Sequence, residues 1–100
     1  MIEFQLEKLP RQQFTTTQNG VLFDVRIFDA CGVMFIDIKA DQNPVILGVP
    51  LIPAVKLITN GSFELGNFAF SSYADEKADW QKFGISQSLI YFDPSELSND

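Results

Sequence analysis

A two-residue repeat of apolar side chains constrains the fold of this chain more than any other feature of its sequence. Residues 21–27 and 34–38 carry an apolar residue at every second position, with Asp24, Arg26 and Asp37 at intervening ones. Successive side chains of a strand point to opposite faces of a sheet, whereas a helix repeats its apolar residues every three or four positions. The pattern therefore predicts two strands, each with one face directed at a hydrophobic core.

The segment between these two strands predicts a hairpin. A loop of four residues, 29–32, sets Ile27 opposite Met34, so that the apolar residues of both strands share one face. A slip of one residue would bring Asp37 onto that face. Gly32, the last residue of the loop, can adopt the positive φ that such loops often need.

Asparagine–glycine pairs mark two further hairpins. Asn19-Gly20 suits a type I′ turn and pairs Phe14 with Val25, which extends the first hairpin to a three-stranded meander. A second pair, at residues 60–61, predicts another hairpin in the second half of the chain.

The remaining segments predict further short strands. Pro44 has no amide proton and belongs at the start of a strand or at a sheet edge. Gly66 is a candidate bulge, and residues 78–83 favour one short helical turn. Further strands are expected at residues 45–49, 55–59, 67–70 and 86–92. We predict an all-β fold, a small antiparallel barrel or sandwich of about seven to eight short strands with at most one short helical turn.

Length and hydropathy favour one soluble domain. The 100 residues suffice for a single core. We expect the β domain to occupy residues 1–92, and residues 93–100 to form an acidic tail that is frayed or held only by contacts elsewhere. The start of the chain has no basic region followed by an apolar run, so no secretory signal is expected. The longest apolar stretch, residues 45–55, is interrupted by two prolines and is too short to cross a membrane.

The chemistry of the side chains argues against an enzyme. The chain has no histidine, and its single cysteine, Cys31, lies in a predicted hairpin loop. The four-residue loop places Asp24 opposite Asp37, a geometry that suits a glycosidase pair or a bound cation. The same register sets Arg26 and Lys39 diagonal to these carboxylates, and such alternation of charge is typical of a solvated sheet face. We therefore predict no catalytic residue, no metal and no cofactor.

The net charge of −6 also argues against nucleic-acid binding. Proteins that bind nucleic acid neutralise phosphates with a basic surface, and the sequence contains no cluster of basic residues. An acidic surface would instead repel DNA. We expect neither nucleic-acid nor membrane binding.

A charged, aromatic segment at residues 73–84 is the best candidate for a partner interface. Its candidate contact residues are Tyr73, Asp75, Asp79, Trp80 and Phe83. The alternative is that Trp80 and Phe83 fold back to cap an open end of the barrel.

The N-terminal residues 2–9 are a second candidate interface. They include Ile2 and Phe4. Together with the acidic tail, they are the candidates for strand exchange with a neighbouring subunit at an unpaired sheet edge.

A series of landmarks from Phe4 to Tyr91 resembles the baseplate plug proteins of contractile-tailed bacteriophages. They are Pro10, Gln13-Phe14, Asn19-Gly20, residues 35–38, Asp41, residues 43–45, Gly48, Leu57, Gly66, Phe68, Phe70, Phe83-Gly84 and residues 89–91. Residues 71–82 are more charged than the pattern of the family.

The resemblance implies a structural virion protein that plugs or braces the central hub or the end of the tail tube. Its expected partners are other baseplate proteins of the hub, the spike or the tube end, with several copies or a homo-oligomer in the assembly. The expected location is the tail baseplate of the virion, with the host cytoplasm as the place of assembly.

Two other functions fit the sequence. A small-ligand or carbohydrate-binding β-barrel of a phage tail would need a concave aromatic site, for which Trp80, Tyr73 and Phe83 are candidates. An acidic inhibitor that mimics DNA is the other, although the mixed charges along the strands argue against it.

Overall fold

The computed structural model describes residues 1–58 and 65–97, in which seven strands form. The strands are β1 (Ile2–Phe4), β2 (Arg11–Gln18), β3 (Val21–Ala30), β4 (Val33–Ala40), β5 (Asn43–Pro50), β6 (Asn67–Ser72) and β7 (Gln87–Phe92). Short 3-10 turns at Tyr73–Asp75 and Trp80–Lys82 lie between β6 and β7, and helix α1 spans Pro94–Leu97. The predicted hairpin at residues 60–61 lies outside the described residues.

The strands form two antiparallel sheets that pack as a sandwich and do not close into a barrel. One sheet has the order β1-β7-β6 and the other the order β2-β3-β4-β5. Phe23 of β3 meets Phe68 of β6 edge to face, with 5.1 Å between ring centroids, and lies 5.6 Å from Tyr91 of β7. The core therefore lies between the sheets, and the all-β prediction is confirmed with the sandwich as its form.

The hairpin of β2 and β3 has the predicted register. Phe14 pairs with Val25, and the strands are joined by Asn19 and Gly20, whose φ angles are 54° and 77°. Positive φ at both turn residues is the signature of a type I′ turn, which matches the right-handed twist of the strands. The asparagine–glycine signal thus fixed this connection correctly.

The predicted four-residue loop between β3 and β4 is wrong, because the loop has only two residues. Cys31 and Gly32 form it, at φ 54° and 81°, and Ala30 pairs with Val33. The register is therefore shifted by two residues, which sets Ile27 opposite Ile36. A shift of two keeps every side chain on its predicted face, so the apolar repeat alone could not distinguish the two loops.

The same shift changes the pairing of charges on the outer face of the four-stranded sheet. Asp24 lies opposite Lys39 and Arg26 lies opposite Asp37, so the predicted pair of facing aspartates does not exist. The Arg26 guanidinium lies 3.2 Å from the Asp37 carboxylate and 4.6 Å from the centre of the Phe28 ring. Arg26 and Lys39 are exposed, whereas Asp24 and Asp37 are partly buried, so opposite charges pair directly across this face.

Strand β5 forms an irregular edge of the four-stranded sheet. Pro44 is its second residue, as predicted for a residue without an amide proton. The ladder with β4 shifts register on either side of Ile38, and Gly48 has a φ of 61°. The Gly48 amide donates to the Asp37 carboxylate at 2.6 Å, which satisfies a donor that the bulge removes from the ladder.

Residues 51–58 run along the free side of β6. The Ala54 amide donates to the Phe70 carbonyl at 3.1 Å, and the Leu57 amide donates to the Phe68 carbonyl at 2.9 Å. The buried Asn67 side chain accepts from the Ile58 amide and donates to its carbonyl, both at 2.9 Å. Through these hydrogen bonds, residues 54–58 cover much of the β6 edge.

Gly66 is not a bulge, since it lies one residue before β6 and the β6–β7 register is continuous. Its φ is 78°, and a Cβ atom there would lie 2.5 Å from the Tyr91 hydroxyl oxygen. That hydroxyl donates to the Leu65 carbonyl at 2.9 Å. A side chain at position 66 would therefore meet both backbone strain and the buried tyrosine.

Helix α1 gives the first part of the acidic tail a defined structure. The Asp93 carboxylate accepts from the Ser95 amide at 2.9 Å, and the Glu96 carboxylate accepts from the Asp93 amide at 2.9 Å. This reciprocal arrangement, with Pro94 as the first helical residue, is a capping box. Glu96 also pairs with the Met1 ammonium at 2.5 Å.

Candidate partner interface

The segment joining β6 to β7, residues 73–86, is named here the β6–β7 loop. The two ends of this loop lie next to each other, because the Tyr73 amide donates to the Ser86 carbonyl at 3.1 Å. Asp79 caps the second 3-10 turn by accepting from the Gln81 amide at 3.0 Å. The predicted helical turn at residues 78–83 thus corresponds to the 3-10 turn Trp80–Lys82.

Gln87, the first residue of β7, holds this loop in place. Its side chain is 2% exposed and makes three hydrogen bonds to the loop and its flank. The amide oxygen accepts from the Asp79 backbone at 2.9 Å, and the amide nitrogen donates to the Lys77 carbonyl at 2.9 Å and to the Ser72 hydroxyl at 3.1 Å. Sequence analysis did not identify Gln87, because a glutamine at a strand start carries no signal of burial.

The three aromatic residues of the predicted interface occupy different environments. Phe83 is 2% exposed and lies 6.0 Å from Phe70 between ring centroids, so it is a core residue. Trp80 is partly buried and packs against the core. Tyr73 is 75% exposed. Trp80 and Phe83 therefore fold back onto the sandwich, the alternative that the sequence left open, and only Tyr73 offers most of its side chain to a partner.

A cavity of about 390 Å³ lies between the β6–β7 loop and the β3–β4 hairpin. Among its lining residues are Asp79 and Trp80 from the loop and Asp29 from β3. The Asp29 Oδ1 atom is buried without a hydrogen-bond partner among the described residues. Of the three aromatic candidates only Trp80 lines this cavity, so they do not share the concave site that carbohydrate binding would need.

Glu76 and Lys82 form an ion pair at the rim of this cavity. The Lys82 ammonium lies 2.5 Å from the Glu76 carboxylate, and both side chains are nearly half exposed. The hydrogen bond to Glu76, followed by its charge, raises the pKa of Lys82 above its ordinary value. This pair lies at the surface, so solvent screens it and it contributes little to stability.

Ile85 adds an exposed apolar side chain that sequence analysis missed. It is 73% exposed and directly precedes Ser86, whose carbonyl accepts from the Tyr73 amide. Ile85 and Tyr73 therefore emerge at the same end of the loop. The sequence feature that could have identified Ile85 as exposed is its position next to Gly84 in a polar segment. The exposed Asp75 also belongs to this end, in the 3-10 turn that Tyr73 begins.

The N-terminal candidates belong to the chain's own sandwich. β1 pairs with β7, with Ile2 opposite Tyr91 and Phe4 opposite Leu89. Phe4 is partly buried and lies 5.5 Å from Phe14 between ring centroids, whereas Ile2 is 41% exposed. The structure therefore shows this strand seated in its own sheet.

The described residues contain no cluster of three or more side chains that could hold a metal ion. Within residues 1–58 and 65–97, no helix has the length and apolar character needed to cross a membrane.

Comparison with known proteins identifies the family. No curated protein matches the chain. The family model described as "Cyanophage baseplate Pam3 plug gp18" matches residues 1–95, which is nearly the whole chain. The resemblance seen in the sequence is thereby confirmed. The chain belongs to this family of phage baseplate plug proteins, and its role is a structural one in the tail baseplate of a virion.

Proposed function

We propose that this chain plugs or braces the central hub or the tail-tube end of a phage baseplate by contacting other baseplate proteins. The family match over residues 1–95 is the observation that carries this proposal. The protein would be present in several copies, assemble in the host cytoplasm and remain in the tail of the particle. It would act by the shape of its surface and without catalysis.

The exposed end of the β6–β7 loop supports a contact surface there. Tyr73 and Ile85 are 75% and 73% exposed, and the hydrogen bond from the Tyr73 amide to the Ser86 carbonyl joins the two ends of the loop on which they lie. Large apolar side chains on an ordered loop favour binding because little conformational entropy is lost when a partner covers them. Asp75 adds a charge beside them that would select a partner with a basic or hydrogen-bonding group.

The acidic surface supports passage of DNA without adhesion. At a net charge of −6 the protein would repel the phosphate backbone, so the genome would pass the plug without binding to it. Absence of DNA binding at low salt, measured by fluorescence anisotropy of a labelled duplex, is the corresponding expectation. Binding that weakens steeply as salt rises would contradict this part of the proposal.

The first test is mass spectrometry of purified, nuclease-treated particles, with copy number measured against the tail-tube protein. A few copies per particle are expected. Absence from particles, together with abundant protein in infected cells, would overturn the proposal.

The second test replaces the exposed apolar residues of the loop. Phage carrying Tyr73→Ser with Ile85→Ser should assemble fewer particles containing the protein, while the melting temperature of the isolated protein changes little because both side chains are exposed. Leu47→Ser is the matched control, since Leu47 is 59% exposed but lies on β5 in the other sheet. Equal incorporation of the two variants would exclude this end of the loop as the contact surface.

A further inference from the structure

Within the described residues the sandwich has four sheet edges, and among these only β2 presents a long, regular one. β5 carries Pro44, Pro50 and the bulge at Gly48, all of which oppose strand addition. Residues 53–57 cover much of the β6 edge, and β1 is only three residues long. β2 has eight residues without proline, and Arg11 is its one charged residue. It lacks the features by which edge strands usually prevent pairing.

The register of β2 with β3 identifies the backbone groups at this edge. Gln18 and Val21 flank a two-residue turn, so they form a hydrogen-bonded pair, and such pairs recur at every second residue along the strand. The Pro10 carbonyl accepts from the Asp29 amide at 3.0 Å, which extends this alternation to the start of the strand. The even-numbered residues of β2 therefore bond to β3.

The odd-numbered residues of β2 direct their amides and carbonyls to the free edge. They are Arg11, Gln13, Thr15 and Thr17, and all four are exposed. No backbone hydrogen bond joins them to any other segment of residues 1–58 and 65–97. The edge thus offers four donors and four acceptors in the spacing of an antiparallel ladder.

We propose that this edge pairs with β2 of a second copy of the chain, antiparallel across a two-fold axis, so that two four-stranded sheets become one. The axis passes between Phe14 and Phe14 of the second copy. Gln13 then pairs with Thr15, and Arg11 pairs with Thr17, in both directions. This register uses all the outward backbone groups and forms about eight hydrogen bonds.

The side chains of β2 favour a second copy in this register. Arg11 meets the neutral Thr17, so no two like charges face each other across the seam. Phe14 is only half-buried and lies 5.5 Å from Phe4, so two Phe14 rings would meet at the seam and extend the apolar core across it. Threonine and aromatic residues favour strands, and two-fold pairing is the commonest symmetry of homo-oligomers.

This inference goes beyond the proposed function and does not depend on the β6–β7 loop. A protein without self-pairing can still occupy a baseplate, and a dimer can exist without a baseplate. The two proposals therefore fail in different experiments, one on particles and the other on the isolated protein.

Sedimentation velocity of the isolated protein, from about 1 µM to about 1 mM, tests the dimer. The expected result is a shift from the 11.3 kDa monomer to twice that mass. Hydrogen exchange followed by NMR identifies which strand forms the dimer contact. The amides of Gln13, Thr15 and Thr17 should become protected as concentration rises, while Phe14 and Thr16 stay protected throughout because they already bond to β3.

Thr15→Pro is the decisive variant. It removes an amide proton that only the dimer uses, so the monomer should fold and dimerisation should weaken by at least about tenfold. Thr15→Val keeps the amide and is the matched control, with dimerisation unchanged. Gln13→Lys combined with Thr15→Lys is an independent disruption that leaves the backbone intact, because it places ammonium groups opposite each other across the seam.

Two results would overturn the inference. One is a monomer throughout the concentration range with fast exchange of the three edge amides. The other is a dimer that Thr15→Pro and the double lysine variant leave unchanged, which would place the contact on another surface.

Discussion

Replacing Gln87 by leucine tests whether one buried side chain positions the β6–β7 loop. The substitution keeps an apolar stem of similar size in the space that the glutamine fills. It removes the hydrogen bonds to the Asp79 amide at 2.9 Å, the Lys77 carbonyl at 2.9 Å and the Ser72 hydroxyl at 3.1 Å. The loop would then lose its polar attachment to β7 and keep only its apolar contacts with the core.

The expected loss of unfolding free energy follows from these three bonds. Each contributes about 1 kcal/mol net, and a buried backbone group left without a partner costs about 1–3 kcal/mol. Movement of the loop would let water reach the freed groups and limit this penalty. We therefore expect Gln87→Leu to lower the free energy of unfolding by about 3 kcal/mol, which at a urea m value of about 1.5 kcal/mol per molar lowers the midpoint by about 2 M.

Urea unfolding and the emission of Trp80 measure the two parts of this effect. Trp80 is the only tryptophan and lies one residue after Asp79, so its emission should shift to the red in Gln87→Leu under native conditions. Gln81→Leu is the control, because Gln81 is exposed on the same 3-10 turn. That variant should change stability by less than about 0.5 kcal/mol.

A small effect would refute the assignment of Gln87 as the residue that holds the loop. If Gln87→Leu costs less than about 1 kcal/mol and the Trp80 emission does not move, the apolar contacts of Phe83 and Ala78 suffice to hold it. A large stability loss with unchanged emission would mean that Gln87 supports β7 and not the loop.

Two further predictions concern the backbone and the tail. Gly66→Ala should lower the free energy of unfolding in urea by about 2–5 kcal/mol. Positive φ costs about 1–2 kcal/mol, and contact of the new Cβ with the Phe92 carbonyl oxygen and the Tyr91 side chain adds about 1–3. Gly20 also has a positive φ, 77°, but open space surrounds a Cβ atom built there, so Gly20→Ala should show only the backbone cost. Equal losses of stability in Gly66→Ala and Gly20→Ala would exclude a steric clash at position 66. The backbone and side-chain hydrogen bonds from Ser95 lower the pKa of Asp93, so its NMR titration midpoint should lie below 3.8. The stabilisation of α1 by the Asp93 carboxylate is therefore present above the ordinary aspartate pKa and is lost as the pH falls through the lowered pKa. Ser95→Ala should move the titration midpoint of Asp93 back upward. A midpoint at or above 3.8 in the unaltered protein would contradict the lowered pKa.

The buried face of each strand in the two β-hairpins could be predicted from the amino-acid sequence alone. Alternation with a period of two placed Val25 and Ile36 in the core, and Asn19-Gly20 set both the turn and the register of β2 with β3. Local chemistry sufficed there because a type I′ turn requires positive φ at both residues, which asparagine and glycine accept at low cost. The landmarks of the plug family were also visible in the sequence.

Registers without such a local signal were decided by tertiary structure. Loops of two and of four residues between β3 and β4 keep the same faces, so the apolar pattern allowed both, and Cys31 gave no indication of a positive φ. The shorter loop sets Arg26 against Asp37 and Asp24 against Lys39, pairs that exist only once the strands are side by side. Opposite charges directly across a sheet favour that register over one that opposes two aspartates.

The contact surface depended on tertiary structure most of all. Aromatic residues in a charged loop looked alike in the sequence, but the sandwich buries Phe83, half-buries Trp80 and leaves Tyr73 exposed. Gln87 attaches this loop to β7 by bonding to backbone groups 8 and 10 residues away along the chain. Periodicity does not encode such bonds, because most buried polar side chains need hydrogen-bond partners that only folding brings close to them.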